Sequence, residues 1–511
     1  KGCLVSIDLN KAFDRVDHEY LWKVLEKFGF PQTIVQCIRN VYSIAVSRVQ
    51  INGFLTNEIK INSSVRQGCP LSMILFVLYI EPLIRRVSES ITGFLVYDKF
   101  LKVIVFADDF NIIIRNDDEF DQLLSIFDEY AILAKIRINL SKSEYMRFNQ
   151  VRMGPQKIRE VDSLKILGIT FCRSWYLTVN TNYNRVINNI KHSLSRHYIR
   201  NLNLYQKCWI LNIFILSKVW YLAQIFPPLN KHIAQLKSIC GKFLWNGFIF
   251  KIERNQMYLD YMKGGLNLID PEAKIKALFL RNILYNPDGG DTTVEEKYLL
   301  EMREAQTQRL TKNAREWIQE GKMLKERFNY NSTRHLYNYF VSLKNCTPKV
   351  EQNININWAG IWENINMRFI STDIRSMVFC FVNDIITNGK KLSAYNIRSS
   401  QGNCRRCGIA DSNFHRLKEC PKAKIIWEWC SSIVQTRYKI SVVDLEDLLP
   451  FSICKSSQQQ KAALWLTMKV ISFNLTFSEP SLFVFKKEIR EERWNNRKFF
   501  ASEFGSNLNI C

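Results

Sequence analysis

Two adjacent carboxylates between two apolar runs constrain this chain more than any other feature. The stretch Lys102-Val-Ile-Val-Phe-Ala-Asp-Asp-Phe-Asn-Ile-Ile-Ile-Arg115 sets Asp108 and Asp109 between residues 103–106 and 110–114. Both runs are β-branched and aromatic, as strands are, so the pair is expected at the tip of a tight hairpin with buried arms. Two like charges ~4 Å apart at an effective dielectric of ~20 repel by about 4 kcal/mol. A divalent cation removes that repulsion, and two Mg²⁺ ions held by paired acids can drive phosphoryl transfer. Asp is also a good turn residue in its own right, so the pair alone leaves both readings open.

A third acid favours the metal reading. Cys3-Leu-Val-Ser-Ile-Asp8 is a short apolar strand that ends in Asp8, and a helical pattern follows from Tyr20 to Phe28. A strand ending this way can lie beside the hairpin and bring its carboxylate to the same place. Two-metal sites need such convergence of acids from separate segments.

These residues and their neighbours resemble reverse transcriptases, most closely those of non-LTR (LINE-type) retrotransposons. Ser6-Ile-Asp-Leu-Asn-Lys-Ala-Phe-Asp-Arg-Val16 resembles the first palm motif of that family, and Ser64-Val-Arg-Gln-Gly-Cys-Pro-Leu-Ser-Met73 the second. Phe106-Ala-Asp-Asp109 resembles the third, Ile138-Asn-Leu-Ser-Lys-Ser-Glu144 the fourth, and Leu164-Lys-Ile-Leu-Gly-Ile169 the primer grip. Any one of these is weak; five in the family's order is specific.

The resemblance implies roles. Asp8, Asp108 and Asp109 would hold two Mg²⁺. Phe13 would exclude a ribose 2′-hydroxyl and so select deoxynucleotides, unless it is only a core aromatic. Gln67 and Gly68 would line the nucleotide and template base, or else cap a helix. Lys142 would protonate the leaving pyrophosphate, or be a surface lysine. Leu167 and Gly168 would lie under the primer end. Partners would be an RNA template, a DNA primer or target and dNTPs, with no membrane; the resemblance names no protein partner. The place of work would be intracellular and nuclear, in a particle with the element's RNA.

The chain opens at Lys1, inside the first motif. It is therefore expected to be a piece of a longer protein, with the triphosphate-clamping fingers expected before Lys1. Polymerisation by the piece alone is expected to be poor. No endonuclease region or RNase H pattern is visible in the sequence. A catalytically inactive nucleic-acid-binding remnant stays open as the alternative. A group II intron maturase and a viral RNA-dependent RNA polymerase fit less well. The first would want an HNH-type end, and the second a small residue at Phe13.

Charge agrees with a polyanionic partner. Lys plus Arg number 71 against 48 Asp plus Glu, a net charge of +23, which favours nucleic acid through counterion release. Fourteen cysteines occur singly except in one cluster, the pattern of reduced intracellular thiols rather than a disulfide framework. That cluster is Cys404, Cys407, His415 and Cys420, spaced Cys-x2-Cys-x7-His-x4-Cys. Three thiolates and an imidazole make a closed structural Zn²⁺ site. Arg405, Arg406, Arg416, Lys418, Lys422 and Lys424 surround it, so a nucleic-acid contact is expected there.

The expected fold is α+β. A right-hand polymerase palm of antiparallel sheet and helices fills residues 1–175, and a helical thumb fills 176–285. A helical linker region follows at 286–400, and a C-terminal region with the zinc knuckle at 401–511. Asn52-Gly53 marks a hairpin, Pro70 opens a helix, and residues 119–134 read as an amphipathic helix. Residues 208–226 are long enough to span a bilayer, but Asn212, Lys218 and Gln224 interrupt them, so a buried helix is expected. Residues 286–293 are rich in turn formers, residues 295–327 read as a long charged helix, and residues 455–460 as a polar loop.

Overall fold

The computed structural model describes residues 2–61, 63–66, 68–96, 99–148, 157–247, 251–284, 312–328, 332–344, 346–348, 358–366, 371–386, 388–394, 402–438, 483, 487 and 490. Gln67, the turn-rich 286–293, residues 295–311 of the charged helix and the 455–460 loop lie outside these. The chain divides into two units: residues 1–182 with 295–310, and residues 183–294 with 311–511.

The first unit is built on apolar alternation. In β1 (Gly2–Ile7) the odd residues Cys3, Val5 and Ile7 are buried, while Leu4 and Ser6 lie on the opposite, half-buried face. Helices α1 (His18–Lys27) and α2 (Gln32–Ser43) follow; Asp17 caps α1 by accepting from the Tyr20 amide at 3.0 Å. Two small ribbons come next, β2 (Val46–Ser47) with β5 (Ile59–Lys60) and β3 (Gln50–Ile51) with β4 (Phe54–Leu55). Asn52 and Gly53 turn the second ribbon with positive φ of 50° and 88°, the form in which Asn-Gly hairpins close. Helix α3 (Pro70–Ser90) begins with Pro70 in its first turn, as expected. A third ribbon pairs β6 (Phe94–Val96) with β7 (Lys99–Leu101).

The hairpin of β8 (Val103–Phe106) and β9 (Asp109–Ile114) lies where the sequence puts it, but only the β9 arm is buried as expected; β8 is half-buried on one face and exposes Ile104 and Phe106 on the other. Helix α4 (Asp117–Leu133) is started by Asn116, whose side chain accepts from the Glu119 amide at 2.9 Å. Glu119 reaches back past the cap and accepts from the Arg115 amide at 2.8 Å, so side chains satisfy two backbone amides at the start of this helix. Strands β10 (Glu144–Phe148) and β11 (Arg159–Glu160) complete a sheet of order β11-β10-β1-β9-β8. Only the β10–β11 pair is parallel. Helices α1, α3 and α4 pack on the face carrying Cys3, Val5, Ile7, Phe110, Ile112 and Ile114, all buried in one core. Tyr79 ties this layer together: its hydroxyl accepts from the Asp17 amide at 3.0 Å and donates to the Ala134 carbonyl. A separate hairpin, β12 (Ser163–Ile166) with β13 (Ile169–Cys172), follows the sheet.

The division between the units falls inside α5 (Trp175–Tyr198), not at its start. The second unit is helical through residue 284: α6 (Leu204–Ile210), a five-residue π-turn at Leu211–Ile215, α7 (Ser217–Ile225), α8 (Asn230–Trp245), α9 (Arg254–Tyr258) and α10 (Pro271–Leu284). The apolar run at 208–226 is therefore two helices bent by 43°. Among the described residues no single helix is long and apolar enough to cross a membrane. Tyr183 is buried against His232, ring centroids 5.3 Å apart, and donates to the Phe226 carbonyl at 2.9 Å. Burial pushes the His232 imidazole down to about 4.

The described parts of 286–400 are largely helical, as expected of that region. The helix Thr372–Val382 is hydrogen-bonded to the start of α6: Asn203 donates to Thr372 Oγ1 at 3.0 Å and Asp373 Oδ1 at 2.8 Å, and the Leu204 amide to Ser376 Oγ at 3.2 Å. Gly264 turns the chain at φ +71° where an added Cβ would stand 2.7 Å from the Trp362 ring, so glycine there serves close packing as well as direction.

Candidate active site

The β1–β9 ladder delivers the acids. Its register runs Cys3↔Ile114 to Ile7↔Phe110, and Asp8 and Asp109 are the residues next beyond that last pair. Asp109 is the first residue of β9, paired with Phe106, so the hairpin loop is Ala107-Asp108 rather than Asp108-Asp109. Ala107 adopts φ 53°, a region costly for a residue with a Cβ. The strained turn leaves Asp108 on the loop and Asp109 on the strand. Asp8 and Asp108 are half-buried, and Asp109 is more exposed.

The charges feel one another. Burial, then Asp108, then Asp8 push the Asp109 carboxyl above the usual carboxylate range. Such a cluster of unpaired acids suits a dication electrostatically. It is looser than the Cys/His cluster: among the described residues, the Cys/His/Asp/Glu group whose ligand atoms all lie within 4.8 Å of one another is Cys404, Cys407, His415 and Cys420. Like charges favour the wider spacing.

The segments carrying the other expected residues meet nearby in the fold. Phe13 lies in a 3₁₀ turn (Phe13–Arg15), half-buried, with its ring stacked on Phe76 of α3 at 4.4 Å and 19°. Its carbonyl accepts from the Val65 amide at 2.9 Å, and the Val16 carbonyl from the Ser64 amide at 2.8 Å. The first and second motifs are thus laced together by backbone. Gly68 has φ +85° with open space where a Cβ would stand. That left-handed conformation favours glycine at this position. Gln67 lies outside the described residues.

Lys142 is exposed, in the turn just before β10. Its neighbours hold Asp8: the Asp8 amide donates to Ser143 Oγ at 3.1 Å, and the Asp8 carbonyl accepts from the Asn139 amide at 2.8 Å. Leu167 and Gly168 form the β12–β13 turn, with φ 47° and 83°, again a strained form at the non-glycine position. Sequence reasoning missed Phe76, Ser143 and Asn111. Asn111 shares the sheet face of Asp109 by two-residue periodicity, is 2% exposed, and has no partner for Oδ1. A polar residue inside an apolar strand was the available signal.

The Cys/His cluster is built by a tight turn and a π-turn. The Cys404 carbonyl accepts from the Gly408 amide at 2.8 Å, with Gly408 at φ +76°, and His415–Glu419 form the π-turn that leads to Cys420. Cys407 Sγ lies 3.1 Å from His415 Nε2. Roughly 3.8 Å separates ligands on a tetrahedron of 2.3 Å bonds, so four donors within 4.8 Å fit a zinc ion with a small contraction. Asp411, its side chain wholly buried, clamps Arg416 with three contacts of 2.7–2.9 Å and so braces the turn next to His415.

Residues 1–171 match the family model described as reverse transcriptase (RNA-dependent DNA polymerase). The chain is 28% identical over 289 residues to the Transposon TX1 uncharacterized 149 kDa protein of Xenopus laevis, covering 55% of this chain and 22% of that protein. It is 23% identical over 319 residues to a retrovirus-related Pol polyprotein from type-1 retrotransposable element R2 of Popillia japonica, covering 57% of this chain and 50% of that one. The chain therefore spans half or less of the length of these two relatives. A solved structure of telomerase from Candida albicans, in complex with a TWJ fragment of telomeric RNA, aligns over 56% of this chain and 48% of that chain at 12% identity. Its TM-score of 0.27 carries no argument. The N-terminal region is a reverse transcriptase domain.

Proposed function

We propose that this chain works as an RNA-directed DNA polymerase of a non-LTR retrotransposon, by two-metal nucleotidyl transfer. The observation that carries the reading is that Asp8 and Asp109 directly follow the last pair of the β1–β9 ladder, Ile7↔Phe110, and that Asp8 and Asp108 both act on the Asp109 carboxyl, inside the region that matches the reverse transcriptase model. Asp8, Asp108 and Asp109 would hold Mg²⁺, which when bound lowers the pKa of a primer 3′-hydroxyl and neutralises charge on the transferring phosphoryl group.

The chain's own residues do the rest. Phe13, whose ring is stacked on Phe76, would clash with a ribose 2′-hydroxyl, so deoxynucleotides are taken. Gln67 and Gly68 line the nucleotide and template base. Lys142, beside the Asp8 backbone contacts, gives a proton to the leaving pyrophosphate. The Leu167-Gly168 turn supports the primer end. The surplus of +23 charges holds RNA template and DNA primer or target through their phosphates. Residues 176–285 act as the thumb.

Cys404, Cys407, His415 and Cys420 would hold one structural Zn²⁺, stabilising a turn that carries Lys418, Lys422 and Lys424 toward nucleic acid.

The test is incorporation of dTTP on an oligo(dT) primer annealed to poly(rA), in Mg²⁺, by the longest natural protein that contains this sequence. RNA-templated extension is expected. Nucleic-acid binding without any extension would favour the inactive remnant instead.

A further inference from the structure

The β1–β10 ladder breaks at Asp8. Its last regular pair is Ser6↔Glu144, and pairing resumes at the isolated bridge Leu9↔Ile138. Between these pairs β1 supplies two residues, 7 and 8, while the other strand supplies five, 139–143. The extra residues loop out as a turn, and the register slips. A slip of this kind removes the carbonyl that would have met the Asp8 amide.

Ser143 replaces it. Its side-chain oxygen accepts from the Asp8 amide at 3.1 Å and donates to the Asn139 carbonyl at 2.9 Å. Ser143 is 0% exposed, so water does not compete for either bond. The Asp8 carbonyl is held in turn by the Asn139 amide at 2.8 Å. Both backbone groups of Asp8 are therefore fixed by the 139–143 turn. The direction of the Asp8 Cα–Cβ bond follows from them.

We infer that Ser143 is a positioning residue for Asp8: its hydroxyl closes the broken ladder and aims the Asp8 carboxylate at Asp109. The inference rests on the polymerase reading for its consequence but not for its geometry. An outer partner that orients a metal ligand typically changes metal affinity by 10–100-fold when removed.

The experiment compares wild type, Ser143→Ala and Ser143→Thr in the longest natural protein that contains this sequence. The first readout is amide hydrogen exchange at Asp8 without metal. The second is the Mg²⁺ concentration giving half-maximal primer extension, measured beside the affinity for primer–template. Ser143→Ala should exchange the Asp8 amide at least tenfold faster and raise the Mg²⁺ requirement 10–100-fold, with primer–template affinity unchanged. Ser143→Thr, which keeps a hydroxyl, should restore both. An unchanged Asp8 amide in Ser143→Ala overturns the inference. So does an unchanged Mg²⁺ requirement, or a loss shared equally by primer–template affinity, which would mark Ser143 as structural only. Asp109→Asn in the same assay separates the two claims. If it extends like wild type, the metal-site reading fails, and the exchange measurement still decides whether Ser143 holds Asp8.

Discussion

Replacing Asp109 by Asn should stabilise the metal-free protein while destroying its chemistry. The Asp109 carboxyl is raised by burial, Asp108 and Asp8, so its ionised form is disfavoured in the fold relative to the unfolded chain. A raised carboxylate costs nothing below the unfolded value of ~3.9. Its cost grows as pH climbs and is complete above the raised folded value. As a general scale, a like charge ~6 Å away at an effective dielectric of ~40–80 costs about 0.7–1.4 kcal/mol before salt screening. Because Asp109 is largely exposed and screening applies, the net gain from Asp109→Asn should be about 1 kcal/mol at pH 7. For a unit of this size that is a rise in melting temperature of roughly 2–4 °C. The assay is thermal unfolding at pH 7 and near pH 4, with and without Mg²⁺. The gain should vanish toward pH 4, and Mg²⁺ should stabilise wild type but not the variant. A variant less stable than wild type in metal-free buffer at pH 7, or equal stabilisation of both by Mg²⁺, would refute the charge-cluster reasoning.

Phe13→Ala should admit ribonucleotides far more readily while leaving deoxynucleotide use largely intact; an unchanged ratio in competitive incorporation would make the ring a packing element alone. Tyr79→Phe leaves the Asp17 amide and the Ala134 carbonyl without their partner, at about 1–3 kcal/mol for each buried group, and should lower the urea midpoint of the first unit without changing which nucleotide is used. Cys407→Ser should release zinc, read by metal analysis, and expose amides of residues 402–438 to exchange while those of 2–148 stay protected. Binding of the chain to duplex DNA should weaken steeply with salt, by about −0.9 in log–log slope for each phosphate neutralised; a flat slope would argue against phosphate contacts.

Much of the first unit was legible because its signals are local. Apolar alternation fixed β1, β8 and β9, Asn52-Gly53 fixed a turn, and Pro70 a helix start. The expected convergence of Asp8 with Asp109 rests on each acid sitting at a strand end, Asp8 just after β1 and Asp109 at the start of β9. The finer geometry was not legible, since it depends on partners far apart in sequence. Nothing near Ala107 announces that the loop is shifted by one residue, because the strain at its φ is held by the strands on either side. The role of Ser143 depends on a register slip against β1, 135 residues away in sequence. The bend between α6 and α7 comes from a π-turn within an apolar run, where composition reads as continuous helix. The hydrogen bonds from Asn203 and Leu204 to residues 372–376, within the expected 286–400 region, are a pairing that composition does not signal.

The central claim is that Asp8, Asp108 and Asp109 together perform metal-dependent nucleotidyl transfer. Single-turnover primer extension on an RNA template measures it most directly, comparing the protein with its Asp8→Asn, Asp108→Asn and Asp109→Asn variants at saturating primer–template. Each substitution is expected to slow the rate by roughly 10³ or more, about 4 kcal/mol of transition-state stabilisation, with primer–template affinity retained. Rates within tenfold of the unaltered protein for any of the three would contradict the claim.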